Sequence, residues 1–269
     1  IETNAFYNCS SLTSITIPDS VTSIGEYTFY DCSSLTNVII SDSVTSIANH
    51  AFNGCSSLTS MIIPDSVTSI GEYTFYDCSS LTSIIIPDSV TQIRQKAFMG
   101  CSSLISVTIP DSDILIEGSA FSGCTGELTI NGNISGVYAF SGSKFTKVTI
   151  GDSVTRIGEK AFMGCSSLTS VIISDGVTWI ADYAFDGCSS LTSVTIPDSV
   201  TSIDLSAFNG CSSLKEVYCK PTTPPSGKNY MFDRNASGRK IYVPRNSVSA
   251  YKAKPYWRDY ASDIEGYDF

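Results

Sequence analysis

The chain has 269 residues, of which 42% are hydrophobic and 16% charged, and its formal net charge is −10. This composition can supply an extended apolar core. The shortage of Lys and Arg argues against nucleic acid or an anionic membrane surface as partner, because both need clustered positive charge. No run of about 18 apolar residues occurs, so the sequence predicts no insertion into a membrane.

A period of 23 residues runs through the chain. A phenylalanine recurs at this spacing and is followed three residues later by a cysteine; the phenylalanines are Phe6, Phe29, Phe52, Phe75, Phe98, Phe121, Phe162, Phe185 and Phe208. Such a period is typical of solenoids, in which each repeat buries its apolar face only by stacking on the next. Ile1 falls within a unit, so we expect a longer precursor and no signal peptide in this chain.

Each unit is predicted to begin with a strand. In the unit from Leu12 to Ser34, Ile15 and Ile17 alternate with the outward Ser14 and Thr16, as in a pleated strand. Pro-Asp-Ser then predicts a turn, which a second short extended leg follows. The stretch before each cysteine is too short for a lasting helix, so we expect a turn or a single 3₁₀ turn. About ten such units predict a parallel sheet of ten rungs.

The repeat is degenerate near residues 124–150. The strand spacing falls to 21 residues from Val107 to Leu128 and to 20 from Leu128 to Val148, and Ser143 replaces the cysteine. We expect a local change of curvature there, which the glycines of this stretch would permit.

The periodicity weakens after Leu214, and consecutive prolines ending at Pro225 predict a loop. Residues 240–244 then predict one more strand, and residues 247–254 a short helix with Ser247 or Asn246 as its N-cap. Four aromatic residues predict an apolar lid over the last repeat: Tyr251, Tyr256, Trp257 and Tyr260. The predicted division is therefore a solenoid over residues 1–219 and a C-terminal cap over residues 220–269.

The units IPDSVTSIGEYTFYDCSSLTS and IPDSVTSIDLSAFNGCSSLKE resemble the treponemal-type leucine-rich repeats of BspA-like bacterial surface proteins. The segment IYVPRNSVSAYKAKPYWRDYASDI is similar to the cap of that family. The resemblance covers nearly the whole chain. It implies a mostly β solenoid of α/β-type repeats, wound as a right-handed leucine-rich-repeat superhelix. It also implies a secreted or surface-anchored adhesin that binds host matrix proteins or other cells.

Nine of the ten cysteines share one repeat position. Stacked on successive rungs, they would have parallel Cα–Cβ vectors, a poor geometry for disulfides. We therefore expect buried free thiols that behave as small apolar groups. No CxxC or HxxxH spacing occurs, so no metal site is predicted.

Aspartates form a second column, in the turn after each strand: Asp19, Asp42, Asp65, Asp88, Asp111, Asp152, Asp175 and Asp198. A row of carboxylates could bind calcium, but the turns lack the dense spacing of calcium loops. We favour the structural interpretation, in which each side chain accepts a backbone N–H in its own turn.

His50 is the only histidine, and it occupies a column of variable residues, which predicts an exposed position. A Ser/His/Asp or Cys/His site could be built only around it. Neither a phosphate-binding loop nor a metalloprotease motif is present. The sequence therefore predicts no catalytic residues and no cofactor.

The outward strand positions predict an exposed sheet face. Isoleucines on adjacent rungs would form an apolar stripe rimmed by hydroxyls, and such patches often mark contact sites. Strand propensity alone would also favour isoleucine there. The candidate protein-binding residues are Asn37, Ile39, Ser60, Ile62, Ser83, Ile85, Ile172 and Tyr218. Arg156 and Trp179, which share a column on adjacent repeats, are a secondary candidate as a cation–π pair that is either structural or a ligand contact.

The sequence thus predicts a non-catalytic adhesion or protein-binding module, secreted or at the cell surface. Its predicted partner is a host extracellular-matrix or cell-surface protein. The alternatives are a structural spacer that holds another domain away from the surface and a glycan-binding module.

Overall fold

Each repeat contributes two strands, and most strands pair in parallel with the equivalent strand of the next repeat. The structure is a computed structural model that describes residues 1–269. The longer strands form the first ladder: β1 (Ser14–Ile17), β3 (Asn37–Ile40), β5 (Ser60–Ile62), β7 (Ser83–Ile85), β9 (Ser106–Ile109), β11 (Thr125–Ile130), β13 (Lys144–Ile150), β15 (Ser170–Ile173), β17 (Ser193–Ile196) and β19 (Glu216–Cys219). The ten predicted rungs are present.

The shorter strands form a second ladder on the other leg of each repeat. They are β2 (Ser23–Ile24), β4 (Ser46–Ile47), β6 (Ser69–Ile70), β8 (Gln92–Ile93), β10 (Ile114–Ile116), β12 (Ile134–Ser135), β14 (Arg156–Ile157), β16 (Trp179–Ile180), β18 (Ser202–Ile203) and β20 (Ser226–Gly227). The last residue of most of these strands is a buried isoleucine, which faces the core that the first ladder also covers. The two ladders therefore enclose a single apolar interior.

A continuous stack of phenylalanine rings fills that interior. Neighbouring ring centroids lie 5.0 to 5.5 Å apart along eleven rings. Phe140 supplies the ring of the degenerate repeat, and Phe232 extends the stack one turn beyond Phe208. With the pairing of β18 and β20, this continues the repeat further than the sequence periodicity indicated.

The cysteine side chains lie beside the phenylalanine stack and form hydrogen bonds between neighbouring repeats. All ten are free, and nine of them are buried. Eight of the thiols donate hydrogen bonds to the carbonyl oxygen of a phenylalanine in the preceding repeat, as from Cys55 to Phe29 (3.2 Å) and from Cys124 to Phe98 (3.0 Å). The expected column of buried free thiols is present, and it adds a hydrogen bond that apolar packing alone does not require.

The stretch before each cysteine consists of turns, without a 3₁₀ helix in the repeats. Each turn contains residues with positive φ, a region that disfavours most side chains because Cβ crowds the backbone. One such position is filled by Asp31 (φ 53°), Gly54 (74°), Asp77 (55°) and Gly100 (84°) on successive repeats. Glycine and aspartate alternate there because both tolerate this conformation better than most residues.

The degenerate repeat interrupts the second ladder. β12 ends one run of paired strands and β14 begins another, while β11 carries a register shift between Gly126 and Glu127 against β13. The side-chain oxygen Oδ1 of Asn133 accepts a hydrogen bond from the Thr155 backbone N–H (2.9 Å) in place of a strand pairing. The adjacent phenylalanine rings, Phe121 and Phe140, tilt by 33°, whereas the other neighbours in the stack lie within 12° of parallel.

The C-terminal cap adds two strands to the first ladder and packs helical turns over its end. The elements are β21 (Lys240–Pro244), a 3₁₀ turn (Arg245–Ser247), α1 (Val248–Ala253), a second 3₁₀ turn (Trp257–Tyr260) and β22 (Ile264–Tyr267). The predicted strand and short helix are both present. The Ser247 hydroxyl does not cap the helix, because it donates instead to the Thr222 carbonyl oxygen (2.7 Å).

Three of the four aromatic residues expected in the lid are buried. Trp257 donates its indole N–H to the Pro225 carbonyl oxygen (2.8 Å), and the Tyr251 hydroxyl donates to that of Pro221 (2.7 Å). Tyr260 packs edge-on against Phe232. Tyr256 does not belong to the lid: its backbone has a φ of 69° and its side chain is 41% exposed.

Candidate functional site

The outward positions of the first ladder form an open sheet face. Ile39, Ile62 and Ile85 are 55%, 70% and 63% exposed on three successive rungs. Ile62 lies directly opposite Ile85 in the parallel register, and β3 lies beside β5. We call these three residues the isoleucine stripe. Most other outward positions of the face carry Ser or Thr, and an exposed apolar patch of this kind often marks a contact site.

The rim of the stripe is formed by small polar side chains. Asn37, Ser60 and Ser83 are exposed at the start of the same strands, and Ser60 lies opposite Ser83. A groove of about 550 Å³ begins beside Ile85 and runs toward Asp111. The face therefore offers apolar surface, hydroxyl groups and a shallow concavity in one place.

Two of the candidate residues lie away from the stripe. Ile172 is 50% exposed, but Thr108, Thr129 and Thr149 occupy the rungs between Ile85 and Ile172. Four rungs separate these isoleucines by about 19 Å. Tyr218 lies further on, opposite Thr195. The structure thus brings the candidates of β3, β5 and β7 together and leaves Ile172 and Tyr218 as separate features.

One exposed apolar residue near this region escaped the sequence interpretation. Ile105 is 70% exposed and takes the place of a threonine. In the preceding repeats, Thr59 and Thr82 each donate a side-chain hydrogen bond to the backbone one repeat earlier (3.4 and 2.9 Å). Isoleucine cannot make that bond. The replacement of threonine by isoleucine in this column could therefore have identified Ile105 as an exposed apolar residue from the sequence.

Arg156 and Trp179 form part of a longer chain of contacts on the second ladder. The guanidinium carbon of Arg156 lies 4.7 Å from the centroid of the Trp179 ring, and the indole N–H donates to Asp204 (2.9 Å). Lys228 in turn bonds Asp204 (3.0 Å) and Asp182 (3.3 Å). The hydrogen bond to Asp204 raises the pKa of the Lys228 ammonium. These contacts connect successive turns, which is the structural role considered for the pair.

The aspartate column lies on the surface, and its predicted role in the turns is wrong. No carboxylate of the column accepts a backbone N–H in its own turn; the turn is closed by backbone bonds such as Val21 N–H to Pro18 O (2.9 Å). Asp19 accepts from the Ser41 hydroxyl (2.6 Å) and Asp111 from that of Ser153 (3.2 Å), both in other repeats. No group of three or more His, Cys, Asp or Glu side chains is placed to hold a metal ion.

His50 lies in an aromatic stack on the turn side of the solenoid. Its ring is sandwiched between Tyr27 and Tyr73, with centroids 4.6 and 4.8 Å away, and its Nδ1 lies 3.0 Å from the Asn53 amide nitrogen. Burial lowers the pKa of the imidazole, while Glu26 and Glu72 act in the opposite direction. The variable column that contains His50 is therefore half-buried and packed, where full exposure was expected.

Burial also changes the acidity of several cysteine thiols. It raises the pKa of Cys32 and of Cys165 to about 11 and that of Cys219 to about 12. A thiol reacts as its thiolate, so these groups are poor nucleophiles at neutral pH.

The end of the sheet face carries an aromatic cluster that the sequence interpretation missed, apart from Tyr218. The Tyr218 ring stacks on Tyr242 at 5.0 Å and meets Tyr267 edge-on at 5.5 Å, and Tyr267 contacts Phe269 at 5.1 Å. β21 and β22 bring these rings together, because β21 pairs with β19 and β22 pairs with β21. Tyr242 could have been identified from the sequence, because it occupies an outward position of the strand predicted over residues 240–244.

The model of the BspA-type leucine-rich repeat region matches residues 1–127 and 133–254, in six copies. No curated protein matches the chain. None of its helices has the length and apolar character needed to cross a membrane.

Solved structures that match the chain come from several bacteria. A leucine-rich repeat protein from Bacteroides ovatus is 26% identical, with 100% of this chain and 88% of that chain covered and a TM-score of 0.44. A leucine-rich cell surface protein from Faecalibacterium prausnitzii is also 26% identical, with 100% and 83% covered and a TM-score of 0.42. The pneumococcal vaccine antigen PcpA is 19% identical, with 96% and 80% covered and a TM-score of 0.47.

Proposed function

The chain belongs to the BspA-type leucine-rich repeat family, and we propose that it is a non-catalytic adhesion module that binds a partner protein through the isoleucine stripe. The partner class is a host extracellular-matrix or cell-surface protein, and the proposed location is the cell surface or the surrounding medium. The observation that carries this proposal is the apolar row of Ile39, Ile62 and Ile85 on an open sheet face.

The physical case for the stripe rests on its exposure and its rigidity. Burying apolar surface on binding gains about 25 cal/mol per Å², so three adjacent isoleucines could anchor a contact. Each is fixed on a strand of the first ladder, so little conformational entropy is lost when a partner binds. The rim of Asn37, Ser60 and Ser83 supplies hydrogen-bonding groups around the apolar centre, an arrangement common in protein interfaces.

Two observations support the absence of catalysis in this proposal. The single histidine, His50, is held between two tyrosine rings. The buried thiols of Cys32, Cys165 and Cys219 have raised pKa values and are therefore protonated near pH 7. Neither group is prepared to act as a base or a nucleophile.

The test is binding of the purified chain to immobilised extracellular-matrix proteins at physiological salt. We expect saturable binding to at least one of them, and a loss of ~30-fold or more in affinity for Ile62→Asp, because a charge would be buried at the centre of the contact. Ile172→Asp is the matched control: it makes the same change in the same column five rungs away, and we expect a much smaller loss.

The spacer alternative makes a different prediction. If the chain only holds another domain at a distance, the wild-type protein binds none of the matrix proteins, and that result would replace the adhesion proposal. Equal losses of affinity for Ile62→Asp and Ile172→Asp would show that the isoleucine stripe is not the specific contact. The sheet face as a whole would then remain the candidate binding surface.

A further inference from the structure

We propose that the cleft between the last repeat and the C-terminal cap binds a neutral saccharide. This cleft has a volume of about 970 Å³ and is open to solvent. It lies at the opposite end of the sheet face from the isoleucine stripe, so the proposal is independent of protein binding there. We call it the cap cleft; its walls come from β17, β19, β21, β22 and the chain that connects them.

Aromatic rings form one wall of the cap cleft. Tyr218, Tyr267 and Phe269 line it, and Tyr242 supports the wall by stacking behind Tyr218 at 5.0 Å. Tyr267 is 41% exposed and Phe269 is 52% exposed. The face of an aromatic ring carries partial negative charge, so it attracts the weakly positive C–H groups on the flat side of a sugar ring. The wall therefore suits a ligand with flat C–H faces.

Polar groups of several kinds form the other walls. Asp198, Lys220 and Asn246 line the cleft with side chains that are at least partly exposed. A carboxylate accepts hydrogen bonds, an ammonium donates them and an amide does both. Sugar hydroxyls can pair with all three groups, because each hydroxyl both donates and accepts a hydrogen bond. Backbone geometry holds two of these groups: Lys220 follows β19, and Asn246 lies in the 3₁₀ turn of the cap.

The charges of the cap cleft balance. Asp198 and Asp268 oppose Lys220 and Arg245, and the Arg245 Nε lies 2.7 Å from the Asp268 Oδ1. The side chains of the cleft therefore carry no net charge that would select an acidic or a basic ligand. This balance favours a neutral polyhydroxyl ligand over a phosphorylated, sulfated or strongly charged peptide ligand.

The size of the cleft fits the same conclusion. Sites for small organic ligands have volumes of ~300–1,000 Å³ and combine apolar walls with a few placed polar groups. The cap cleft lies at the upper end of that range. Its open shape suits several linked sugar units better than one enclosed monosaccharide.

The test uses the full chain and four neutral hexasaccharides as probes: maltohexaose, cellohexaose, mannohexaose and fully N-acetylated chitohexaose. Titration calorimetry measures affinity, and saturation-transfer NMR reports which sugar protons contact the protein. We expect saturable binding of at least one probe. Tyr267→Ala should weaken it by about tenfold through the loss of ring stacking, and Asn246→Ala by about fivefold through the loss of hydrogen bonds.

Tyr230→Ala is the matched control, because Tyr230 is 57% exposed and lies outside the cap cleft. It should leave the affinity unchanged, as should Ile62→Asp. Tyr267 and Asn246 are both exposed, and thermal unfolding of each variant verifies the fold. Three outcomes would overturn the proposal: none of the four probes binds, binding survives both cleft variants, or the cleft variants impair only the binding of a protein or peptide.

Discussion

The thiol of Cys78 donates a hydrogen bond to the carbonyl oxygen of Phe52, 3.2 Å away and in the preceding repeat. The same contact recurs at Cys101, whose thiol donates to Phe75 (3.1 Å), and at Cys211, whose thiol donates to Phe185 (3.2 Å). The cysteine column therefore links neighbouring repeats through side-chain hydrogen bonds that lie beside the phenylalanine stack. Its chemistry can be tested directly.

We expect iodoacetamide at pH 8 to label the native chain only at Cys9. Cys9 is half-buried, whereas the other nine cysteines are buried. The raised pKa of Cys32, about 11, leaves about one thiolate in a thousand at pH 8. Mass spectrometry of the intact protein should show one adduct when native and ten after denaturation. Rapid native labelling at several sites would show that the column opens readily.

Stability should fall as the pH rises above about 8.5, the pKa of an unfolded thiol. The folded pKa values of Cys165 and Cys219 are raised to about 11 and about 12, so the unfolded chain loses these protons first. The stabilising contribution is complete below pH ~8.5 and declines up to the folded pKa values. Urea unfolding midpoints between pH 7 and 10 measure the decline.

Cys165→Ser provides the control for this pH dependence. Serine does not titrate in that range, and its hydroxyl can still donate to the Phe140 carbonyl oxygen that Cys165 contacts at 3.2 Å. The variant should show a shallower loss between pH 7 and 10. An unchanged slope would assign the pH dependence to other groups.

Phe98→Ala should cost about 3–5 kcal/mol in the free energy of unfolding, as for other buried phenylalanines. The ring is fully buried and stacks on two neighbours, Phe75 at 5.2 Å and Phe121 at 5.0 Å. Phe6→Ala is the comparison, because Phe6 is half-buried and stacks only on Phe29. We expect a clearly smaller loss there, measured by urea unfolding; equal losses would contradict the importance of position in the stack.

Ser119→Gly should stabilise the chain by about 1 kcal/mol. Ser119 has a φ of 61°, where Cβ crowds the backbone and glycine does not. Its backbone N–H bond to the Tyr138 carbonyl oxygen (2.9 Å) is unaffected by the change. Ser102→Gly, at a position without positive φ, should destabilise by about 0.5–1 kcal/mol through unfolded-state entropy. Differential scanning calorimetry of both variants measures whether the stability rises for Ser119→Gly and falls for Ser102→Gly.

The sequence predicted the rungs well because every inward position is apolar and the period is regular. Phe140 and Phe232 were missed because they follow the preceding phenylalanine at 19 and 24 residues, from Phe121 and Phe208. Only the three-dimensional stack shows that loops of different length place these rings in the same column. Spacing alone therefore predicts the regular repeats. It fails where a shorter or longer loop changes the number of residues between two rings of the same column.

The candidate site was predictable only in part. The isoleucine stripe followed from the alternation of the strands, since outward positions on adjacent rungs must lie side by side. The cap cleft did not, because Tyr218 and Tyr267 are 49 residues apart and meet only through β21. The aspartate prediction failed because backbone hydrogen bonds close each turn, which leaves the carboxylates at the surface, where two of them accept from serine hydroxyls of other repeats.

The threonine hydrogen bonds connect the first four repeats through the same atoms. Thr36 donates to the carbonyl oxygen of Thr13, Thr59 to that of Thr36, and Thr82 to that of Thr59. The interface between any two regular repeats is consequently interchangeable. A duplicated 23-residue segment could be inserted at such a junction without designing a new contact, lengthening the rod by about 4.8 Å. Length in this architecture can change by gene duplication while both ends keep their surfaces.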